Sequence, residues 1–299
     1  MSKPRLEGVF VPHITPFRRD GEIDEAALKR CLQFWIKGGV SGLVPCGSNG
    51  EAPYLSREER KRVIETVVNE AGGKLPVIAG TGAIGTRETI QLTKDAKDIG
   101  VDAALVVTPF YYKHSTEEIY DHYSNVLEAV DLPIVIYNMP KFTGFSLEPG
   151  VVHKLASEYD NALGIKDSSG NLSQIAELIR LIGDKASVLA GTADIILPTL
   201  MLGGKGALIA VANVTPRLCS TLYKSFREGR LEASGRLQAR IAYANEVLIR
   251  KHNQLAAIKE ALNMKGLPGG YPRKPTAPLK ETEKKEIKEL LEAPELQSV

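Results

Sequence analysis

Cysteine is scarce in this chain: Cys31, Cys46 and Cys219 are the only three among 299 residues. An odd, scattered set argues against a disulfide framework and against a zinc site, and it fits a reducing, cytoplasmic setting. Net charge is nearly lacking too, at +2, so neither nucleic acid nor an anionic membrane is expected as the main partner. No apolar run approaches the ~18 residues of a membrane span. The segment Met1 to Glu7 is polar and has no apolar core of a signal peptide. His13, His114, His122, His153 and His252 show no H-x-x-x-H spacing and no C-x-x-C occurs, so no metal is expected. Low-complexity stretches and short internal repeats are missing as well. What remains, 43% hydrophobic and 25% charged residues, is ordinary for a soluble globular protein.

What is present is a repeated layout. Eight short apolar runs rich in β-branched residues recur at spacings of about 20 to 35 residues. They are Val9–Ile14, Gly42–Cys46, Pro76–Gly80, Ala103–Thr108, Pro133–Tyr137, Leu163–Lys166, Ser187–Ala190 and Gly206–Ala210. None alternates apolar with polar, which predicts strands buried on both faces, as in a parallel sheet covered by helices. Helical periodicity fills most of the intervals. Asp24 precedes Glu25–Lys37, Ser56 with Glu59 forms a capping box before Arg57–Asn69, and Thr86 opens a helix that closes at Gly100. Ser115 or Thr116 opens another to about Val130, Asn171 or Ser173 one that stops at Gly183, and Asp194 to Leu202 a short one. Strand and helix repeated eight times is the arithmetic of a (β/α)8 TIM barrel over residues 1–213. From residue 214 to 299 the texture is helical, interrupted by a Gly/Pro-rich stretch at 266–278 and ending in the charged helix Glu281–Leu291. This predicts a C-terminal helical extension on the barrel.

In such a barrel, chemistry belongs at the C-terminal ends of the strands. Lys166 ends the sixth run. If it faces the interior, desolvation favours its free amine, and a free amine attacks a ketone to form a Schiff base. The other reading is a structural lysine paired to a carboxylate or reaching to the rim. Tyr137 ends the neighbouring fifth run. A phenol beside an amine can pass the protons that imine formation requires; the alternative is a tyrosine used for packing. Gly47-Ser48-Asn49-Gly50-Glu51 follows the second run and can present backbone N–H groups and two polar side chains to a small carboxylate. Its alternative is a glycine-rich turn that binds nothing. One motif misleads: Gly80-Thr81-Gly82-Ala83-Ile84-Gly85 matches a dinucleotide fingerprint, but it follows the third strand. The next run ends Val106-Val107-Thr108-Pro109, without the acid expected about 20 positions on.

Six segments occur together in one order: Thr15-Pro16-Phe17, Gly47–Glu51, Thr108-Pro109-Phe110-Tyr111-Tyr112, Tyr137-Asn138-Met139-Pro140 with Thr143-Gly144, Gly164-Ile165-Lys166-Asp167, and Ala212-Asn213-Val214. With them the chain resembles the dihydrodipicolinate synthase and N-acetylneuraminate lyase family of Schiff-base, pyruvate-dependent aldolases. The resemblance implies that Lys166 forms the imine with pyruvate and Tyr137 shuttles protons. It implies that Ser48 and Asn49 hold the pyruvate carboxylate, and that the Ser48 hydroxyl links Tyr137 to Tyr111, which reaches in from a neighbouring subunit. It implies, too, that the backbone carbonyl of Leu208 lines the pyruvate pocket. It further implies a homotetramer built as a dimer of dimers, with pyruvate and an aldehyde or 2-oxo acid as ligands and no metal or organic cofactor.

The departures bear on substrate. Family synthases carry an arginine just before the Thr-Gly of the fifth-strand motif, where it binds the carboxylate of the amino-aldehyde. Here Phe142 stands there, after Lys141. Ser48-Asn49 replaces the synthases' Thr-Thr and resembles aldolases of the 4-hydroxy-2-oxoglutarate type; Tyr111-Tyr112-Lys113 also suits 2-keto-3-deoxy sugar-acid aldolases. The expectation is therefore an aldolase, with the lysine-biosynthesis synthase as the alternative. A pyruvate-binding regulatory protein without catalysis is the reading from another class.

Overall fold

In the computed structural model, which describes residues 6–297, eight strands run parallel. They are β1 Gly8–Val11, β2 Gly42–Leu43, β3 Ile78–Gly80, β4 Ala103–Val107, β5 Ile134–Asn138, β6 Ala162–Asp167, β7 Ser187–Ala190 and β8 Gly206–Leu208. Their order is β2-β1-β8-β7-β6-β5-β4-β3. The two ends of that order meet: Leu43 bridges Val77 in parallel, and Leu43 N–H donates to Pro76 O at 3.0 Å. The sheet thus closes into the expected barrel. Regular pairing stops earlier than the apolar runs do after β1 and β2. Pro12 and Pro45 have no N–H to donate, and Cys46 turns into the left-handed region at φ 55°. Residues 1–5 and 298–299, at the two ends of the expected regions, lie outside the described residues.

The helices are α1 Glu25–Lys37, α2 Arg57–Ala71, α3 Thr86–Ile99, α4 Thr116–Ala129, α5 Pro140–Thr143, α6 Pro149–Glu158, α7 Leu172–Ile182, α8 Ile196–Met201, α9 Pro216–Arg227, α10 Leu231–Asn245, α11 Gln254–Met264, α12 Glu281–Glu292 and α13 Pro294–Gln297. Four caps read from sequence are made: Asp24 accepts from Ala27 N, Asn171 from Ser173 and Gln174 N, and Ser56 and Ser115 each form a full capping box. The helix α3 opens at Thr86 behind Gly85, and α8 at Ile196 rather than Asp194, neither with a side-chain cap. The helix α6 was not anticipated. Its N-cap, Glu148, makes no side-chain cap bond; only Pro149 at the first turn and the buried trio Val151, Val152 and Leu155 mark it. A π-helical turn, Glu246–Lys251, separates α10 from α11.

Two apolar layers follow from strand alternation. Phe10, Ile78, Leu105, Val135, Tyr137, Leu189 and Leu208 fill the barrel interior. Their neighbours Val9, Val11, Ile134, Ile136 and Ile165 face the helix layer. The C-terminal helices share that outer layer through Leu218, Ile241, Leu248, Ile258 and Leu290. The helix α9 packs on β1 and completes the ring, so the 213/214 division falls between the last strand and its own helix.

Candidate active site

β5 and β6 pair with Tyr137 opposite Lys166. Parallel neighbours in register share a face, and Ile165 occupies the outer layer, so Lys166 points inward with Tyr137. The Lys166 Nζ lies 3.8 Å from the Tyr137 ring centroid, and Lys166 is only 4% exposed. Among the described residues no carboxylate pairs with it, which removes the structural ion-pair reading. The carboxylate next in sequence, Asp167, is on the other face and fully engaged. It accepts from Asn138 Nδ2 at 2.7 Å, Gln174 Nε2 at 2.8 Å and Ser169 N at 2.9 Å, and also from Ser169 Oγ. Asn138 Oδ1 in turn accepts from Leu147 N. This network locks the ends of β5 and β6 and so fixes the Lys166–Tyr137 pair.

Lys166 and Tyr137 open onto a cavity of about 440 Å³ whose wall includes Ser48, Asn49, Lys141 and Gln254. Ser48 and Asn49 sit in the loop after β2. The N–H of Glu51 donates back to Ser48 O at 3.1 Å, while the amides of Ser48, Asn49 and Gly50 donate to no group among the described residues. Free amides beside two polar side chains suit a carboxylate. Thr15 of the Thr-Pro-Phe segment holds the loop by donating to Gly50 O at 2.8 Å. Asn213 fastens β1 to β8: its Oδ1 accepts from Ile14 N at 3.0 Å, and its Nδ2 donates to Pro12 O and Ala210 O.

Side chains to which the sequence assigned no role of their own complete the site. Glu51, 1% exposed and left-handed at φ 57°, forms an ion pair with Lys259 of α11 and accepts from Arg273 N at 2.9 Å. Desolvation lowers the Lys259 pKa to about 8 against the pull of Glu51. The Lys259 ammonium and the Arg273 guanidinium each lie 4.3 Å from the Phe17 ring centroid. Lys259 stands alone as a cation between Leu255–Ile258 and Ala261–Leu262, a signal that was legible. Gln254 Nε2 donates to Asn49 Oδ1 at 2.9 Å; nothing in the sequence pointed to that.

Other expected residues lie apart. Leu208 is fully buried in the barrel interior and lines neither this cavity nor its neighbour; Ala210, two residues on, lines the first. Tyr111 is 81% exposed, with φ 85°, edge-on to Tyr112 at 5.0 Å, and the single chain does not bring it to Ser48 or Tyr137. Beside those two residues is a second, apolar cavity of about 310 Å³ bordered by Tyr54, Leu105, Phe110 and Phe142. Two glycines of the dinucleotide-like motif serve packing. A Cβ on Gly80 would lie 2.1 Å from Cys46 O, and one on Gly82 2.7 Å from Val107.

A closed parallel barrel with a buried lysine, unpaired among the described residues, beside a tyrosine at its strand ends defines a Schiff-base lyase. The chain belongs to the dihydrodipicolinate synthetase family, whose pattern it matches over residues 5–294. A 4-hydroxy-tetrahydrodipicolinate synthase of Methanothrix thermoacetophila is 41% identical over 96% of both chains. One of Archaeoglobus fulgidus is 40% identical over 97% of this chain and 99% of its own. Further relatives at 38–40% identity carry the same name. Among solved structures, YagE, a prophage protein of E. coli K12 crystallised with pyruvate, is 32% identical with a TM-score of 0.93, covering 96% of this chain and 98% of that one. The relatives therefore side with the synthase, which the sequence reading held as the alternative, over the aldolase it preferred. Among the described residues, no helix is long and apolar enough to cross a membrane.

Proposed function

We propose that this chain joins pyruvate to an aldehyde through an imine on Lys166, and that its reaction is the one for which its relatives are named, with aspartate semialdehyde as the aldehyde. The observation that carries the imine is the buried Lys166 amine, which has no carboxylate partner among the described residues and lies against Tyr137. Pyruvate enters with its carboxylate on the Ser48–Asn49 loop. The Lys166 nitrogen adds to the ketone carbon, Tyr137 supplies a proton to the carbinolamine oxygen, and water leaves. The resulting iminium draws electrons from the methyl carbon. A proton leaves that carbon to give an enamine, which attacks the aldehyde. With aspartate semialdehyde, the amino group of the substrate then displaces the lysine nitrogen from the former ketone carbon, which closes the ring and frees Lys166; with a partner that carries no amine, water releases the open-chain product. Ser48 relays protons between Tyr137 and Tyr111 of the partner subunit.

Pyruvate with borohydride tests the imine: one reduced pyruvyl group should appear per chain, on the peptide that holds Lys166. Label elsewhere, or none during turnover, sinks the mechanism. Trapping without turnover with any aldehyde would return the chain to the non-catalytic pyruvate-binding class.

Phe142 favours a second reading. It is 48% exposed at the place where the family's synthases carry arginine, and a phenyl ring cannot grip a carboxylate. A neutral hydroxy-aldehyde or glyoxylate would then be the partner, as in 4-hydroxy-2-oxoglutarate or 2-keto-3-deoxy sugar-acid cleavage. Ratios of kcat/KM decide. A preference for aspartate semialdehyde above about tenfold, ~1.4 kcal/mol of transition-state preference, establishes the synthase. The opposite preference establishes the aldolase.

A further inference from the structure

Hydrogen bonds at the cavity mouth run in one direction. Lys141 Nζ donates to Gln254 Oε1 at 3.1 Å and to Ile249 O at 3.3 Å. Gln254 Nε2 donates to Asn49 Oδ1 at 2.9 Å. An amide side chain by itself fits equally well in either of two flips, and only its partners choose between them. An ammonium has donors and no acceptor. It therefore meets the oxygen end of Gln254, which turns the Gln254 nitrogen toward Asn49. Asn49 must answer with its oxygen. The Asn49 nitrogen is the end left without a partner among the described residues, in a side chain that is 4% exposed and lines the same cavity as Lys166.

We propose that Lys141 and Gln254 are positioning residues for pyruvate: together they fix the flip of Asn49 so that its Nδ2 hydrogens, and not its Oδ1 lone pairs, meet the substrate carboxylate. The inference rests on the reading of Asn49 as a holder of that carboxylate. A reversed Asn49 would set oxygen against oxygen. Lys141 makes no ion pair among the described residues, and partial burial holds its ammonium below the usual lysine pKa. It remains a donor in either protonation state, but the neutral amine could also accept, so the protonated form is the one that enforces direction.

The test measures the pyruvate concentration that gives half-maximal borohydride trapping on the intact chain, a readout that needs no aldehyde. Gln254→Met should raise it roughly three- to tenfold, the scale of one ordinary hydrogen bond, because Asn49 keeps its amide and loses only the partner that fixes its flip. Gln254→Glu should raise it further, because a carboxylate only accepts and turns the Asn49 amide round. Lys141 is exposed, so its variants keep the fold: Lys141→Met should raise the value, and Lys141→Arg, again donor-only, should restore it. In an Asn49→Ala background, Gln254→Met should add nothing. Additive effects, a Gln254→Glu variant no worse than Gln254→Met, or Lys141→Arg as weak as Lys141→Met would overturn the relay while leaving the imine reading intact. No change from Asn49→Ala itself would instead overturn the carboxylate reading, and the relay with it.

Discussion

Lys166 and Lys141 line one cavity, yet only one is placed for imine chemistry. Lys166 is buried at a strand end against Tyr137, whereas the Lys141 ammonium is held by Gln254 and the Ile249 carbonyl. Both are amines within reach of one small ligand, so the trapping experiment must resolve them. We expect the reduced pyruvyl group on Lys166 and none on Lys141 by peptide mass mapping. Lys166→Ala should abolish it. Tyr137→Phe keeps the ring that packs on Lys166 and removes only the proton carrier. It should lower kcat by about 10²–10⁴, the usual worth of a positioned acid–base group, while the unfolding midpoint stays close to wild type.

At the scale of elements, the β2 loop depends on the C-terminal helices. The Glu51–Lys259 pair joins that loop to α11, and Arg273 extends the tie to Glu59 on α2. Both members of the first pair are about 1% exposed, so breaking it strands a buried charge. Lys259→Met should cost about 3–5 kcal/mol in urea unfolding, and Glu51→Gln added to it should recover a good part of that loss. Equal or greater loss in the double variant would contradict this. The Arg273–Glu59 bridge makes a pH prediction. Hydrogen bonding from Arg273, opposed by desolvation, lowers the Glu59 pKa from 4.5. A lowered folded-state pKa stabilises the protein above the unfolded value, and that contribution is lost as pH falls through the folded value. The stability gap between wild type and Glu59→Gln should therefore be present at neutral pH and close as the solution is acidified below about 4.5.

For the whole molecule, the apolar surface around the second cavity points to assembly. Tyr54, Phe110 and Phe142 line that cavity, and Tyr111 and Tyr112 follow Phe110 into solvent at 81% and 64% exposure. Such clusters mark interfaces. Tyr111 also holds φ 85°, a conformation that costs a bulky side chain on the order of 1–3 kcal/mol and persists where surroundings enforce it. We expect a homotetramer formed from two dimers, with Tyr111 of the partner subunit near Ser48. Tyr111→Phe should lower kcat without dissociating the assembly. Light scattering at assay concentration checks the state, and a fully active monomer would refute it.

The barrel was legible along the chain, because the spacing of apolar runs and the capping residues Asp24, Ser56, Ser115 and Asn171 act locally and leave a periodic record. The sequence also located Lys166 and Tyr137, since strand ends are where this architecture puts chemistry. It did not reveal α6, whose start carries no side-chain cap, or the early end of regular pairing in β1 and β2, where proline removes the donor. Three-dimensional packing alone settles that Lys166 has no carboxylate partner among the described residues, that Asp167 faces away into a network of its own, and that Gln254 and Lys259 reach back over more than two hundred residues to Asn49 and Glu51. Those contacts join segments remote along the chain, and a hydrogen bond or ion pair between single side chains imposes no periodicity from which it could be read.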